Sequence, residues 1–164
     1  MSATSPRRIA PARPILVVED DAPIREMIEE MLTADGYSVI TAADGVQASL
    51  CVAQTLPELV VLDLQLPKMS GLELLAEWRA NPRTADLPVF VLTCKDLTKE
   101  EEKYIHAHAE FLFLKQNSWR EPLLKQLECI LAPQVLEDAC SQHTLSVTRV
   151  KRISGKFVEK QSLL

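Results

Sequence analysis

The residues in this 164-residue chain that could do chemistry gather directly behind short apolar runs. Glu19, Asp20 and Asp21 follow the run Ile15 to Val18, and Asp63 follows Leu59 to Leu62. Thr93 and Cys94 follow Val89 to Leu92, and Lys115 ends the run that begins at Phe111. Carboxylates held close together repel, so a cluster of them is costly unless protonated or joined by a cation. Mg2+ is the simplest remedy, because it is held by one or two carboxylates, waters and phosphate oxygens. This donor set suits phosphoryl transfer, whose catalysis is mainly positioning and charge neutralisation. A carboxylate can serve as the nucleophile, with Lys115 and the Thr93 hydroxyl orienting the remaining phosphoryl oxygens.

The elements that must bring these residues together are legible as a rhythm. Strand-length runs rich in Val, Ile, Leu and Phe occur at Ile15 to Val18, Ser38 to Thr41, Leu59 to Leu62, Val89 to Leu92 and Phe111 to Leu114. Between them, apolar residues recur at spacings of three and four, as in Ile24, Met27, Ile28, Met31 and Leu32, which is the period of an amphipathic helix. Alternating strand and helix predict repeated βαβ units, hence an α/β fold with a five-stranded parallel sheet and helices on both faces. The runs are continuous rather than alternating, as strands buried on both faces are. Open parallel sheets place their sites at the carboxyl ends of the strands, where Glu19, Asp20, Asp63, Thr93 and Lys115 stand. Helix starts are marked by Ser70 with Glu73, Thr98 with Glu101, and Asp44 with Gln47. Asp21, ahead of Pro23, reads as a helix cap, and the last helix should begin between Ser118 and Pro122 and stop before Pro133.

Composition narrows the class. Hydrophobic residues make up 47% of the chain, enough for a real core, and charged residues 25%, which excludes collagen-like and wholly disordered chains. The longest apolar runs are far too short to span a membrane, and the first thirteen residues lack the apolar core of a secretory signal, so a cytoplasmic location is expected. The net charge of -5 is uneven. Residues 1–133 carry 13 basic against 20 acidic residues, and residues 134–164 carry 5 against 3. An acidic body argues against direct nucleic-acid binding and fits a divalent cation in a carboxylate pocket. Cys51, Cys94, Cys129 and Cys140 are widely spaced without a C-x-x-C pair, and buried free thiols are expected. No G-x-x-x-x-G-K-[ST] loop or G-x-G-x-x-G turn is present to cradle a nucleotide. A phosphatase of the haloacid-dehalogenase type would want an aspartate where Gln65 stands.

From residue 13 to 132 the chain resembles the receiver domain of bacterial two-component response regulators. The residues that carry the resemblance are ILVVEDD (15–21), VVLDLQLPKMSGLELL (60–75), the RANP loop (79–82) leading into LPVFVLTC (87–94), and FLFLK (111–115). It implies a flavodoxin-like fold in which Asp63 accepts a phosphoryl group from a histidine kinase or histidine phosphotransfer protein. It further implies that Asp20 and Asp63 bind Mg2+ directly, Glu19 through water and Gln65 through its backbone carbonyl. Thr93 would be the phosphate-sensing hydroxyl and Lys115 the counter-ion of the phosphoryl group. Such a protein is a signalling switch or phosphorelay intermediate that catalyses only its own phosphorylation and dephosphorylation, not an enzyme acting on other molecules. The other reading is an interaction scaffold of the same fold that signals without phosphorylation.

Three positions depart from the family pattern. Gln116 follows Lys115 where proline is usual, often after a cis bond, and a non-proline cis bond would cost about 2.5 to 4 kcal/mol. Leu112 replaces the switch aromatic, which is then absent or displaced to Phe111 or Phe113. Cys94 stands where Ala, Ser or Gly is common and could restrict access to Asp63. Cys94, Trp78 and Trp119 read as packing residues, and His106 and His108 as solvated. On this reading residues 1–13 form a flexible arm, 14–132 the receiver and 133–164 an extension. That extension reads as a short helix at Pro133 to His143 followed by two short strands, the β-branched Thr144 to Val150 and Phe157 to Val158, around Ser154-Gly155; it is either a mobile basic extension or packs on the receiver or on a second copy as a homodimer.

Overall fold

A computed structural model describes residues 13–131 and 148–149. Strands β1 (Ile15–Val18), β2 (Val39–Ala42), β3 (Leu59–Leu62), β4 (Val89–Thr93) and β5 (Phe111–Leu114) alternate with helices α1 (Ala22–Ala34), α2 (Gly45–Gln54), α3 (Gly71–Ala80), α4 (Lys99–His108) and α5 (Arg120–Leu131). A two-residue strand, β6 (Thr148–Arg149), comes last. The expected strands are all present, with β2 one residue later than its run and β4 one residue longer.

Two compact units divide the chain inside β4, at Val89 and Phe90. In the first, β1 pairs in parallel with both β2 and β3, and Val60 of β3 donates its N–H to Pro88 O at the start of β4 (2.9 Å). In the second, β4 and β5 pair in parallel and β6 lies antiparallel on β5. The strand order is β2-β1-β3-β4-β5-β6. Every residue of β1, β3 and β4 is buried, which parallel strands achieve only when helices cover both faces. The sixth strand adds to the expected five. Thr148–Arg149 does fall within the β-branched stretch read as strand, but its partner is β5. The short helix at 133–143 and the hairpin's second strand lie outside the described residues, as does the arm up to residue 12.

Caps fix where α1 to α4 start. The Asp21 side chain accepts from Ile24 N, Asp44 from Gln47 N, and Ser70 and Thr98 form reciprocal capping boxes with Glu73 and Glu101. Such a cap contributes about 1 kcal/mol, and it also sets the residue at which the chain turns away from the strand end. At the end of α1, Gly36 has φ 91°, Gly36 N–H donates to Thr33 O (3.0 Å) and Tyr37 N–H to Leu32 O (3.1 Å). This paired closure needs the left-handed conformation that glycine adopts without strain. Helix α5 starts at Arg120, with Pro122 in its first turn, where a missing N–H costs nothing.

The cores of the two units are built from the same alternation. Ile15, Leu16, Leu59, Leu62, Leu74 and Leu75 are fully buried in the first. In the second, Phe90 packs edge-on against Phe111 (5.1 Å between ring centres) and beside Phe113 (5.7 Å). Trp78 and Trp119 are buried, as packing residues should be. The cysteines differ from expectation: Cys51 is half-buried and free, Cys94 is exposed and free, and Cys129 is disulfide-bonded. Cys94 is therefore not a packing residue. The two histidines are half-buried and make local contacts on α4. His108 stacks on Tyr104 (4.1 Å) with its Nδ1 2.8 Å from Tyr104 O, and half-buried His106 places Nε2 3.6 Å from Glu102 Oε1.

Candidate functional site

The chain leaves β1 and β3 side by side, because these strands pair in register from Ile15 with Leu59 to Val18 with Leu62. The residues just past each end are thereby brought together. Asp63 N–H donates to Val18 O (3.0 Å), which places Asp63 beside Glu19 and Asp20. One carboxylate oxygen from each of Glu19, Asp20 and Asp63 lies within 4.8 Å of the other two. Glu19 and Asp63 are buried and Asp20 is exposed. Three carboxylate oxygens this close, two of them on buried residues, suit a hard divalent cation. Mg2+ is thus compatible with the donor set.

Backbone and side-chain ties hold the acidic turn. Asp21 N–H donates to Glu19 Oε1 (3.3 Å), and Arg25 Nη1, one turn into α1, donates to Glu19 O (2.7 Å) and Asp20 O (3.3 Å). Asp21 caps α1, as its place before Pro23 suggested. On the other side, exposed Gln65 donates its N–H to Asp63 Oδ1 (3.2 Å). The loop then closes on itself: Gly71 N–H donates to Leu64 O (3.0 Å), and Gly71 sits where a Cβ would lie 2.4 Å from Asp63 O. Only glycine permits α3 to begin that close to the residue that follows β3. Lys68, at φ 69°, reaches back to Asp44 Oδ2 (2.7 Å) at the start of α2. The Lys68 hydrogen bond, helped by the Gln47 N–H, holds the Asp44 carboxyl below its usual range.

In the second unit, buried Thr93 ends β4 and its hydroxyl accepts from Lys95 N–H (3.2 Å). Lys115 immediately follows β5, is half-buried, and donates its N–H to Thr93 O (3.0 Å), so its backbone is tied to the residue that carries the hydroxyl. Gln116 occupies the expected proline position without a cis bond: no described peptide bond is cis, and its Nε2 donates to Cys94 O (2.9 Å). The side chain does by hydrogen bonding what a rigid ring would do by geometry, tying the loop after β5 to the loop after β4. Lys95 also pairs with Glu101, holding that carboxyl below its usual range. Leu112 is half-buried, whereas Phe111 and Phe113 point to the opposite face and pack on Phe90. Neither ring is free to stand in for the absent switch aromatic. Exposed Cys94 lies in the loop and not over a core.

Sequence reasoning did not find Arg25, the Lys68–Asp44 pair or the Gln116 tie. For Arg25 a signal existed, a basic residue one turn beyond a capped acidic run. The other two join segments 24 and 22 residues apart and leave no local pattern.

The family pattern of the response regulator receiver domain matches residues 15–128. The response regulator MprA of Mycobacterium bovis (strain BCG / Pasteur 1173P2) is 37% identical over 125 residues, covering 76% of this chain and 53% of that protein. The chain therefore spans about half the length of the curated relative it matches. Among solved structures, the response regulator TrrA of Thermotoga maritima, in complex with Mg2+ and BeF, is 28% identical with a TM-score of 0.63, covering 72% of this chain and 98% of that one. The receiver domain of a sensor histidine kinase from Pseudomonas aeruginosa PAO1, with magnesium coordinated in its active-site cleft, is 28% identical with a TM-score of 0.65, covering 74% and 99%. Among the described residues no helix is long and apolar enough to cross a membrane. Sequence pattern and fold agree: this chain belongs to the response regulator receiver domain family and is a receiver of two-component signalling.

Proposed function

We infer that the chain is a phosphorylatable switch whose acceptor is Asp63. A histidine kinase or histidine phosphotransfer protein would supply the phosphoryl group. The N–P bond of the phosphohistidine breaks, its electron pair returns to the imidazole nitrogen, and an Asp63 carboxylate oxygen forms the new O–P bond. Asp20 and Asp63 would hold Mg2+ directly, with the Gln65 carbonyl as a further ligand and Glu19 acting through water. Bound there, the ion neutralises the charge that three carboxylates and a phosphoryl group would otherwise accumulate. Lys115 would pair with a phosphoryl oxygen and Thr93 would donate its hydroxyl to another. The protein would act on no other substrate, as a cytoplasmic signalling component. Its receiver would span residues 14–132, with residues 133–164 as an extension open to a homodimer contact.

The observation that carries this reading is the meeting of Glu19, Asp20 and Asp63 within 4.8 Å at the ends of two paired strands. Carboxylates brought this close suit a cation and a phosphoryl group, which favours the acceptor reading over the scaffold. Incubation with acetyl phosphate and Mg2+ should give a mass increase of one phosphoryl group that hydroxylamine removes and EDTA prevents. No adduct under any donor concentration would leave the scaffold reading in its place.

A further inference from the structure

The loop from Leu64 to Ser70 carries Gln65 between two anchors. At its far end, Gly71 N–H holds Leu64 O, and the absence of a side chain at Gly71 lets α3 rest on the Asp63 backbone. In its middle, the loop is fastened to the start of α2. Met69 abuts Gly45 so closely that a Cβ on Gly45 would lie 2.8 Å from Met69 Cβ, and Lys68 Nζ meets Asp44 Oδ2 at 2.7 Å. The Asp44 side chain is buried while that of Lys68 is 64% exposed, so the loop brings its charge to a fixed carboxylate. Lys68 makes this contact from φ 69°, a conformation in which a lysine gains nothing over glycine or asparagine. Its side chain, not its backbone preference, is what the position uses.

We propose that Lys68 and Asp44 form a clamp that positions the Asp63–Gln65 turn for the metal, making them positioning residues for phosphorylation. The inference rests on the metal site described above. With the clamp closed, the Gln65 carbonyl is presented by a loop held at both ends. With it open, Mg2+ must order the loop on binding, and its affinity falls by that cost.

The test uses the full chain with Mg2+ alone as the probe, in Lys68→Met, Lys68→Gly and Asp44→Asn, since asparagine keeps the helix cap. Removing Lys68 makes the neighbourhood more negative and neutralising Asp44 makes it less so. A purely long-range charge effect would therefore tighten Mg2+ in the first case and weaken it in the second. The clamp predicts weakening in all three, by about two- to fivefold, the range an ion pair at the surface can supply. The double variant Lys68→Met with Asp44→Asn should be no weaker than either single one. Lys68→Arg should restore wild-type affinity. Lys68→Gly relieves the backbone and should melt at the wild-type temperature, so that lost affinity cannot be ascribed to a damaged fold. Amide hydrogen exchange at Gln65, read without metal, should accelerate in every clamp variant. Opposite shifts in Mg2+ affinity, or unchanged affinity with unchanged exchange, would overturn the clamp. Failure of the wild type to bind Mg2+ would instead overturn the metal reading, and unchanged exchange at Gln65 would then overturn the clamp separately.

Discussion

Replacing Gly71 by alanine tests how the strand end and the helix start share one point in space. A Cβ at residue 71 would lie 2.4 Å from Asp63 O, 2.7 Å from Leu64 Cα and 3.1 Å from Asp63 C, whereas ordinary contact begins at 3.4 Å. The obstacle is backbone, which cannot rotate away as a side chain would. To restore contact, α3 and the Asp63 peptide must separate by about 1 Å, an overpacking that costs roughly 1 to 3 kcal/mol. Gly71 is not in the left-handed region, so alanine meets no torsional strain and gains up to about 1 kcal/mol in helix preference. The net expectation is a loss of up to about 3 kcal/mol, measured by urea denaturation. The displaced backbone is that of Asp63, the proposed acceptor, and a misplacement of about 1 Å can cost about a hundredfold in rate. Labelling by acetyl phosphate should slow far more than stability falls. An alanine variant as stable as the wild type and labelled at the wild-type rate would refute the argument that this contact sets the position of Asp63.

Other consequences are direct. Asp20→Ala should abolish Mg2+ binding and Mg2+-dependent labelling while leaving the melting temperature unchanged or higher, because it relieves repulsion among three carboxylates; unchanged metal binding would misplace the site. Phe90→Ala should cost about 3 to 5 kcal/mol by denaturation, since Phe90 is fully buried against Phe111 and Phe113. Asp44 and Glu101 have carboxyl pKa values lowered by Lys68 and Lys95 respectively, so their contributions are complete above their ordinary values of 3.8 and 4.5 and fade as pH falls through the depressed ones. Urea midpoints should therefore drop toward acid less steeply in Lys68→Met than in the wild type, and equal slopes would count against the pair.

What was legible in the sequence follows from how local the signal is. Continuous apolar runs closed by acids or a lysine located β1, β3 and β5 to the residue; in β1 and β3 burial on both faces leaves no polar residue inside the strand. Ser70 with Glu73 and Thr98 with Glu101 located two helix starts, because a cap is a contact between residues three apart. Strand β2 slipped by one because its residues are only half-buried up to Ala42 and its edge is weakly marked. The acidic triad was legible because strand ends in a parallel sheet converge. The ties that finish the site were not: Lys68 to Asp44 and Gln116 to Cys94 depend on how two loops approach. The aromatic alternatives at Phe111 and Phe113 failed for a reason visible in the alternation of β5, where both rings fall on the buried face opposite Leu112.

The central claim is that Asp63 carries the phosphoryl group. Intact-mass measurement of wild type and Asp63→Asn, side by side with acetyl phosphate and Mg2+, tests it most directly. The account predicts one hydroxylamine-sensitive phosphoryl group on the wild type, mapped to the peptide containing Asp63, and none on the variant with the fold preserved. A variant labelled to the same extent as the wild type would contradict it.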